Sequence, residues 1–241
     1  MGELLWPPRM CCPKLQYATS VLSRVVSIAG EQHLQYAVQT LKFAYDDRDT
    51  GIRFRSDGNR TLAAAYDASD NPDPKDGKSQ FGFSIFLFDG PIDSCSKKTS
   101  RVGTSTTHNE YIAMAECARR LRFCQDLLLQ MGFPQYVDQT MMEGDNWPAT
   151  TQLHEGRITD RNRHYLSEFF WLYEMYTDGK FMPCWVDTAH NGPDIYTKAV
   201  GKQTMARLGP METGYLDRPR PLADASLTPA KFEALGRPAR L

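Results

Sequence analysis

The stretch FGFSIFLFDGPIDSCSKK, residues 81–98, decides the fold class of this chain. Every second position at its start carries an apolar side chain: Phe81, Phe83, Ile85 and Leu87. This is the spacing of a strand with one buried face. Asp89-Gly90 is a typical turn pair, and residues 92–98 then predict a second strand running back along the first. The stretch therefore predicts an antiparallel hairpin.

Shorter strand patterns precede the hairpin. Residues 52–55 alternate between apolar and basic side chains, and Asp57-Gly58-Asn59 suggests a turn, so a small hairpin is expected there. Residues 62–66 predict another strand, which ends near Asp67.

Helical spacing appears after the hairpin and alternates with further strands. Residues 107–131 predict a long amphipathic helix that ends at Gly132. The remaining patterns predict strands over 137–144 and 181–186, and helices over 147–153, 162–176 and 194–208. A helix that connects two strands favours parallel pairing. The expected fold class is therefore α/β, a mixed five-stranded sheet flanked by helices.

The sequence also predicts three domains or segments. Residues 1–50 form a small helical module, with amphipathic helices over 15–29 and 34–41. Residues 51–208 form the α/β domain. Residues 209–241 contain several prolines and little periodicity, which is typical of a poorly ordered tail.

Composition restricts the function classes. No apolar run approaches the ~20 residues of a membrane span, and the N-terminus lacks the pattern of a signal peptide. We therefore expect an intracellular protein, cytoplasmic or nuclear, that is neither secreted nor bound to a membrane. The six cysteines show no CxxC pair, which argues against a zinc site.

The formal net charge is only −1, but basic residues occur in groups. These groups are Lys97, Lys98 and Arg101; Arg119, Arg120 and Arg122; and Arg157, Arg161 and Arg163. Each group taken alone is more often a solvated face than a phosphate-binding site.

Four carboxylates stand at the predicted ends of elements: Asp67, Glu110, Asp145 and Asp194. Those ends can meet at one edge of the sheet, where the carboxylates would repel one another. Such a cluster persists with bound cations, and oxygen ligands favour Mg²⁺ or Mn²⁺. Two ions about 4 Å apart can hydrolyse a phosphodiester.

Each carboxylate also has a purely structural interpretation. Glu110 could complete a capping box that starts at Thr107, and Asp194 could be favoured by the dipole of the last helix. Asp67 and Asp145 could form Asx turns where strands end. Only their joint occurrence in this order favours a metal site.

Several motifs resemble the ribonuclease H domain of copia-type LTR retrotransposon polyproteins. They are YDASD at 66–70, KSQFGF at 78–83, SKK at 96–98, STTHNEYIA at 105–113, GDN at 144–146, RNRH at 161–164 and PDIYTK at 193–198. YATSVLSR at 17–24 and residues 33–43 resemble the thumb and connection of the same polyproteins' reverse transcriptase. His108 departs from the family, which often has an acidic residue there, and so does Trp147-Pro148.

The resemblance implies a ribonuclease H-like fold and a two-metal ribonuclease H that cuts the RNA strand of RNA–DNA hybrids. Asp67, Glu110, Asp145 and Asp194 would be catalytic and would bind two Mg²⁺ or Mn²⁺ ions. The implied nucleic-acid contacts are Lys97, Lys98, Ser105, Asn146, Arg161, Arg163 and His164. Other reverse-transcriptase or host subunits are further expected partners.

His190, in the loop before Asp194, is a candidate catalytic proton carrier. A solvent-exposed histidine without a role is the alternative. Two other functions remain open for the whole chain. It could be a domesticated, inactive ribonuclease H-like scaffold or RNA-binding subunit, which metal-dependent cleavage would exclude. It could also be a DNA-acting relative, which a preference for duplex DNA would reveal.

Overall fold

The computed structural model describes residues 2–70, 72–138, 140–158 and 160–217, without the side chains of 160–162. A five-stranded sheet forms its centre. The strands are β1 (Ala63–Ala68), β2 (Gln80–Leu87), β3 (Gly90–Lys98), β4 (Met141–Gly144) and β5 (Met182–Trp185). Their order is β3-β2-β1-β4-β5. The pairs β1–β2 and β2–β3 are antiparallel, whereas β1–β4 and β4–β5 are parallel. The predicted mixed five-stranded sheet is confirmed.

The hairpin of β2 and β3 turns one residue earlier than its sequence suggested. Phe88 and Asp89 occupy the turn with φ of 54° and 60°. A two-residue turn with both φ values positive matches the twist of the flanking strands. Gly90 already belongs to β3, and a Cβ there would overlap the Phe54 ring and the Arg53 carbonyl. Close packing, not the turn, therefore requires glycine at position 90.

One face of the sheet is covered by three helices. They are α4 (Thr106–Gln130), α5 (Trp147–Glu155) and α6 (Leu166–Thr177). Phe81, Phe83 and Ile85 of β2 point to this side, where they join the main apolar core. The predicted alternation along this strand is confirmed, but the single buried face is wrong, because Ser84 and Phe86 on the opposite face are also buried. The predicted capping box at Thr107 is wrong, because the helix is capped by Ser105, whose side chain accepts from the His108 N–H.

The remaining helices lie on the other side of the sheet. They are α1 (Trp6–Met10), α2 (Gln16–Ser23), α3 (Glu31–Asp46), α7 (Asp194–Thr197) and α8 (Lys202–Leu208). Of these, α3 packs on α2 and α8 packs on α7. A Cβ on Gly82 of β2 would overlap Tyr196, so α7 packs directly against the sheet. The single helix predicted over 194–208 is wrong. Residues 198–201 leave the helical conformation and divide it into α7 and α8.

The ordered chain continues past Leu208, which corrects the predicted tail. Met211–Thr213 forms a 3-10 turn, and Glu212 and Thr213 are 0% exposed. The Thr213 carbonyl accepts from the Arg53 N–H at 2.8 Å. Residues 209–217 therefore belong to the folded unit, while residues 218–241 lie outside the described residues.

The N-terminal helices differ in extent and position from those predicted. The helix predicted over 15–29 ends at Ser23, and a longer one, α3, follows it. Gln16 anchors α2 to the edge strand β3 by donating to the Ser94 carbonyl at 3.0 Å. Residues 51–62 form a loop instead of a hairpin. Its backbone is fixed elsewhere, since the Arg55 N–H donates to the Phe88 carbonyl at 2.9 Å.

Candidate metal centre

Asp67 lies near the end of β1, the central strand, and is 3% exposed. Its Oδ1 accepts from the Asn191 amide at 3.0 Å. Its Oδ2 accepts from the Thr197 hydroxyl of α7. These two bonds tie the carboxylate to the chain segment that follows β5, so its orientation is fixed from two sides.

Glu110 and Asp145 meet Asp67 at this end of the sheet. Glu110 lies in the first turns of α4, and Asp145 comes directly after β4. Because β1 and β4 are parallel, their carboxyl ends lie at the same edge. One ligand oxygen from each of the three side chains lies within 4.8 Å of the others. The structure therefore brings together three of the four predicted carboxylates in one group.

The group fits a hard divalent cation. Glu110 Oε2 is buried and has no hydrogen-bond partner among the described residues. A buried carboxylate oxygen without a partner is costly, and a metal ion would satisfy it. The donors are all carboxylate oxygens, the ligand type of Mg²⁺ and Mn²⁺.

Asp194 lies beside this group but is engaged differently. Its Oδ1 lies 2.6 Å from Nζ of Lys198, four residues later in the chain. It is nevertheless close enough for its charge to act on both Asp67 and Asp145. The fourth predicted carboxylate thus lies next to the group of three, held by a lysine that the sequence interpretation gave no role.

Burial, and after it the charge of neighbouring carboxylates, raises the pKa values of this cluster. Burial raises the pKa of Asp67 well above its usual range, and the charges of Asp194 and Asp145 raise it further. Burial likewise raises the pKa of Glu110, with added effects of Asp67 and Asp145. For Asp145, burial raises the pKa although a hydrogen bond from Thr188 opposes the shift. A cation in the cluster would remove this penalty.

His190 lies in a short loop fixed on both sides to the cluster. The Thr188 hydroxyl donates to Asp145 Oδ2 at 2.8 Å, and Asn191 donates to Asp67. His190 itself is exposed. Asn191, the next residue, is 1% exposed, because its side chain is packed against Asp67.

Two predicted nucleic-acid contacts serve as helix caps. Ser105 caps α4, and the Asn146 side chain accepts from the Ala149 N–H at 3.0 Å at the start of α5. Both residues are close to the cluster in sequence. Ser105 precedes Glu110 by five positions, and Asn146 directly follows Asp145. Asn146 lies beside Trp147, whose exposed ring meets Trp185 edge to face at 6.0 Å.

The basic candidates lie in two other places. Lys97 is exposed on β3, while Lys98 is engaged with Asp73 at 2.5 Å and Asp76 at 2.8 Å. Arg163 and His164 are exposed ahead of α6. The His164 ring lies 5.1 Å from that of His108, which places it near the start of α4. The Arg161 side chain lies outside the described residues.

Sequence reasoning missed the residues that support the carboxylates. Asn191, Thr197, Thr188 and Lys198 all contact a predicted ligand. The PDIYTK motif contained one usable signal, because residues three and four positions after Asp194 lie on its side of a helical turn. Nothing comparable marked Asn191 or Thr188.

Among the described residues, no helix combines the length and apolar character that crossing a bilayer demands. No protein-family model matches the sequence.

Comparison with known proteins gives relatives from transposons. The chain is 25% identical over 190 residues to the retrovirus-related Pol polyproteins from transposons RE1 and RE2 of Arabidopsis thaliana. The match covers 79% of this chain but only 13% of each polyprotein. Among solved structures, RNase H1 from Halobacterium salinarum NRC-1 has a TM-score of 0.43 at 16% identity, covering 57% of this chain and 94% of that one. The chain is thus homologous to a segment of the retrovirus-related Pol polyproteins of copia-type transposons.

Proposed function

We propose that this chain is a metal-dependent endoribonuclease that cleaves the RNA strand of RNA–DNA hybrids. The observation that carries the proposal is the group of Asp67, Glu110 and Asp145, with ligand oxygens within 4.8 Å of one another. The homology to transposon Pol polyproteins supports the same activity.

Asp67, Glu110, Asp145 and Asp194 would hold two Mg²⁺ or Mn²⁺ ions. Such a pair of ions, when bound, activates a water molecule and stabilises the departing oxygen of a phosphodiester. The protein's part is to fix the ligands. Asn191 and Thr197 orient Asp67 through their hydrogen bonds, so this carboxylate need not reorganise when a cation arrives.

His190 is proposed as the proton carrier for the departing oxygen. It is exposed on a loop whose neighbours Thr188 and Asn191 bond to Asp145 and Asp67. The backbone is therefore anchored while the imidazole is free to reach solvent. An imidazole has one nitrogen that can accept a proton and one that can donate it, as this role requires.

Substrate binding would use the surface around the cluster. Lys97, Arg163 and His164 are exposed and would contact phosphates, which fix position without reading sequence. Lys98 contributes less, because Asp73 and Asp76 already pair with it. Ser105 and Asn146 would reach the minor groove, where 2′-hydroxyls distinguish RNA from DNA. Arg161 remains a candidate from its sequence motif alone.

The test is strand-specific cleavage. A hybrid carrying different labels on RNA and DNA is incubated with the full chain in Mg²⁺, in Mn²⁺ and in EDTA. We expect cuts in the RNA strand only, in either metal, and none in EDTA. Duplex DNA and duplex RNA of the same sequence serve as control substrates.

The other outcomes separate the alternatives. Hybrid binding without cleavage in either metal would favour an inactive scaffold. Preferential cutting of duplex DNA would favour a DNA-acting relative. In each case the proposed activity would be refuted.

A further inference from the structure

Among the described residues, Lys198 is the one cationic side chain that forms an ion pair with a member of the carboxylate cluster, and that member is Asp194. It directly follows α7, and its Nζ lies 2.6 Å from Asp194 Oδ1. The lysine side chain is 51% exposed, whereas that of Asp194 is 8% exposed. The ammonium group therefore reaches a buried carboxylate from the solvent side.

Lys198 brings a positive charge to the cluster. A lysine ammonium group is charged at neutral pH, and this one lies in contact with Oδ1 of Asp194. It therefore lessens the negative charge of the cluster. It is a counter-ion built into the chain.

The position of Lys198 coincides with an asymmetry among the ligands. One oxygen from each of Asp67, Glu110 and Asp145 lies within 4.8 Å of the others, and Asp194 is not in that group. The ammonium group of Lys198 already lies in contact with Oδ1 of Asp194. A divalent ion approaching Asp194 would meet a like charge at contact distance, whereas an ion between the other three would not.

We propose that Lys198 occupies the Asp194 side of the cluster as an internal cation, so that two divalent ions bind unequally and in order. The first ion enters between Asp67, Glu110 and Asp145. The second requires the Lys198 side chain to leave Asp194, and its exposed position gives it room to do so. This inference rests on the proposed function, because it presumes that the cluster binds metal.

The test is a Mn²⁺ titration of the full chain without nucleic acid, followed by the electron paramagnetic resonance signal of free Mn²⁺ and by calorimetry. For the wild type we expect two dissociation constants, of which the second is clearly weaker. Lys198→Met removes the charge and keeps the length of the side chain. It should tighten the second dissociation constant about tenfold, equivalent to about 1.4 kcal/mol, and change the first by less than about threefold.

Three variants control the experiment. Lys198→Arg keeps the positive charge and should preserve the weak second site. Lys198→Gln can still donate to Asp194 without a charge and should behave like Lys198→Met, which separates charge from hydrogen bonding. Lys202→Met removes an exposed lysine from α8 and should leave both constants unchanged.

The outcomes are distinguishable from a failure of the proposed function. Absence of Mn²⁺ binding by the wild type would refute the metal centre itself and this inference with it. Two wild-type sites of equal affinity would overturn the role of Lys198 alone. So would a second constant in Lys198→Met that equals the wild-type value.

Discussion

Replacing Glu110 by glutamine should stabilise the metal-free protein while abolishing its activity. At an effective dielectric of ~20, two unit charges 4.8 Å apart repel by about 3.5 kcal/mol. Glu110 has two such neighbours, Asp67 and Asp145, but it loses its charge, and with it the repulsion, when it takes up a proton. From its usual pKa of 4.5, protonation at pH 7 costs about 3.4 kcal/mol. That value limits the cost of the charge, so Glu110→Gln should gain about 2–3 kcal/mol of unfolding free energy at pH 7.

The gain should depend on pH with a defined sign. Burial and the neighbouring carboxylates raise the pKa of Glu110 in the folded state. The folded protein then binds more protons than the unfolded chain, so wild-type stability is lost as the pH rises through the raised pKa. Below the usual pKa of 4.5 Glu110 is protonated in both states, and the advantage of Glu110→Gln disappears.

Urea unfolding in EDTA, followed by circular dichroism at pH 7 and pH 5, measures the effect. With a slope of about 1–3 kcal/mol per M, the midpoint should rise by about 1 M at pH 7. In saturating Mg²⁺ the wild type should have the higher urea midpoint, because the bound ions stabilise it more than they stabilise Glu110→Gln. Glu116→Gln, which removes a partly exposed carboxylate paired with Arg119 on the same helix, is the matched control. If Glu110→Gln in EDTA were no more stable than this control, the repulsive cluster would be refuted.

Three further predictions follow from the site and its support. Asp67→Asn should abolish hybrid cleavage, while hybrid binding persists and weakens steeply with salt; wild-type turnover in Mg²⁺ would contradict the ligand assignment. His190→Ala should lower turnover by roughly 10²-fold, and a loss below about threefold between pH 6 and 8 would leave His190 without a role. Gly192→Ala should cost about 1–3 kcal/mol of stability, because its Cβ would overlap the buried Glu212 carboxylate. Gly201→Ala meets open space, so an equal loss in both glycine variants would contradict this packing argument.

The parts of the fold that the sequence predicted well depend on local periodicity. The face of β2 that joins the main core could be predicted from the alternating residues Phe81, Phe83 and Ile85. Alternation is a local signal, because successive side chains of a strand point to opposite faces. The ends of such strands could be located from sequence, and with them Asp67 and Asp145. The parallel pairing of β1 and β4 brings Asp67 and Asp145 to the same edge of the sheet. The packing of α4 on β1 adds Glu110 to them.

Long-range contacts decided what the sequence could not predict. Asn191 donates to Asp67 across 124 positions of the chain, and no local pattern marks such a pair. For the same reason the tail was predicted from the sequence to start at residue 209, although residues 209–217 belong to the fold. Glu212 is held by hydroxyl groups of Tyr196 and of Ser84, 128 positions away, so its burial depends on partners outside its own segment. The division of the last helix places Thr197 against Asp67, which the helical spacing of 194–208 did not reveal.

The most direct test of the metal centre is anomalous diffraction from crystals of the full chain grown with Mn²⁺ and a non-cleavable hybrid. We expect two anomalous peaks about 4 Å apart, with Asp67, Glu110, Asp145 and Asp194 as their protein ligands. A hybrid seated elsewhere, or a cluster without Mn²⁺ in protein that still cleaves RNA in solution, would contradict the account.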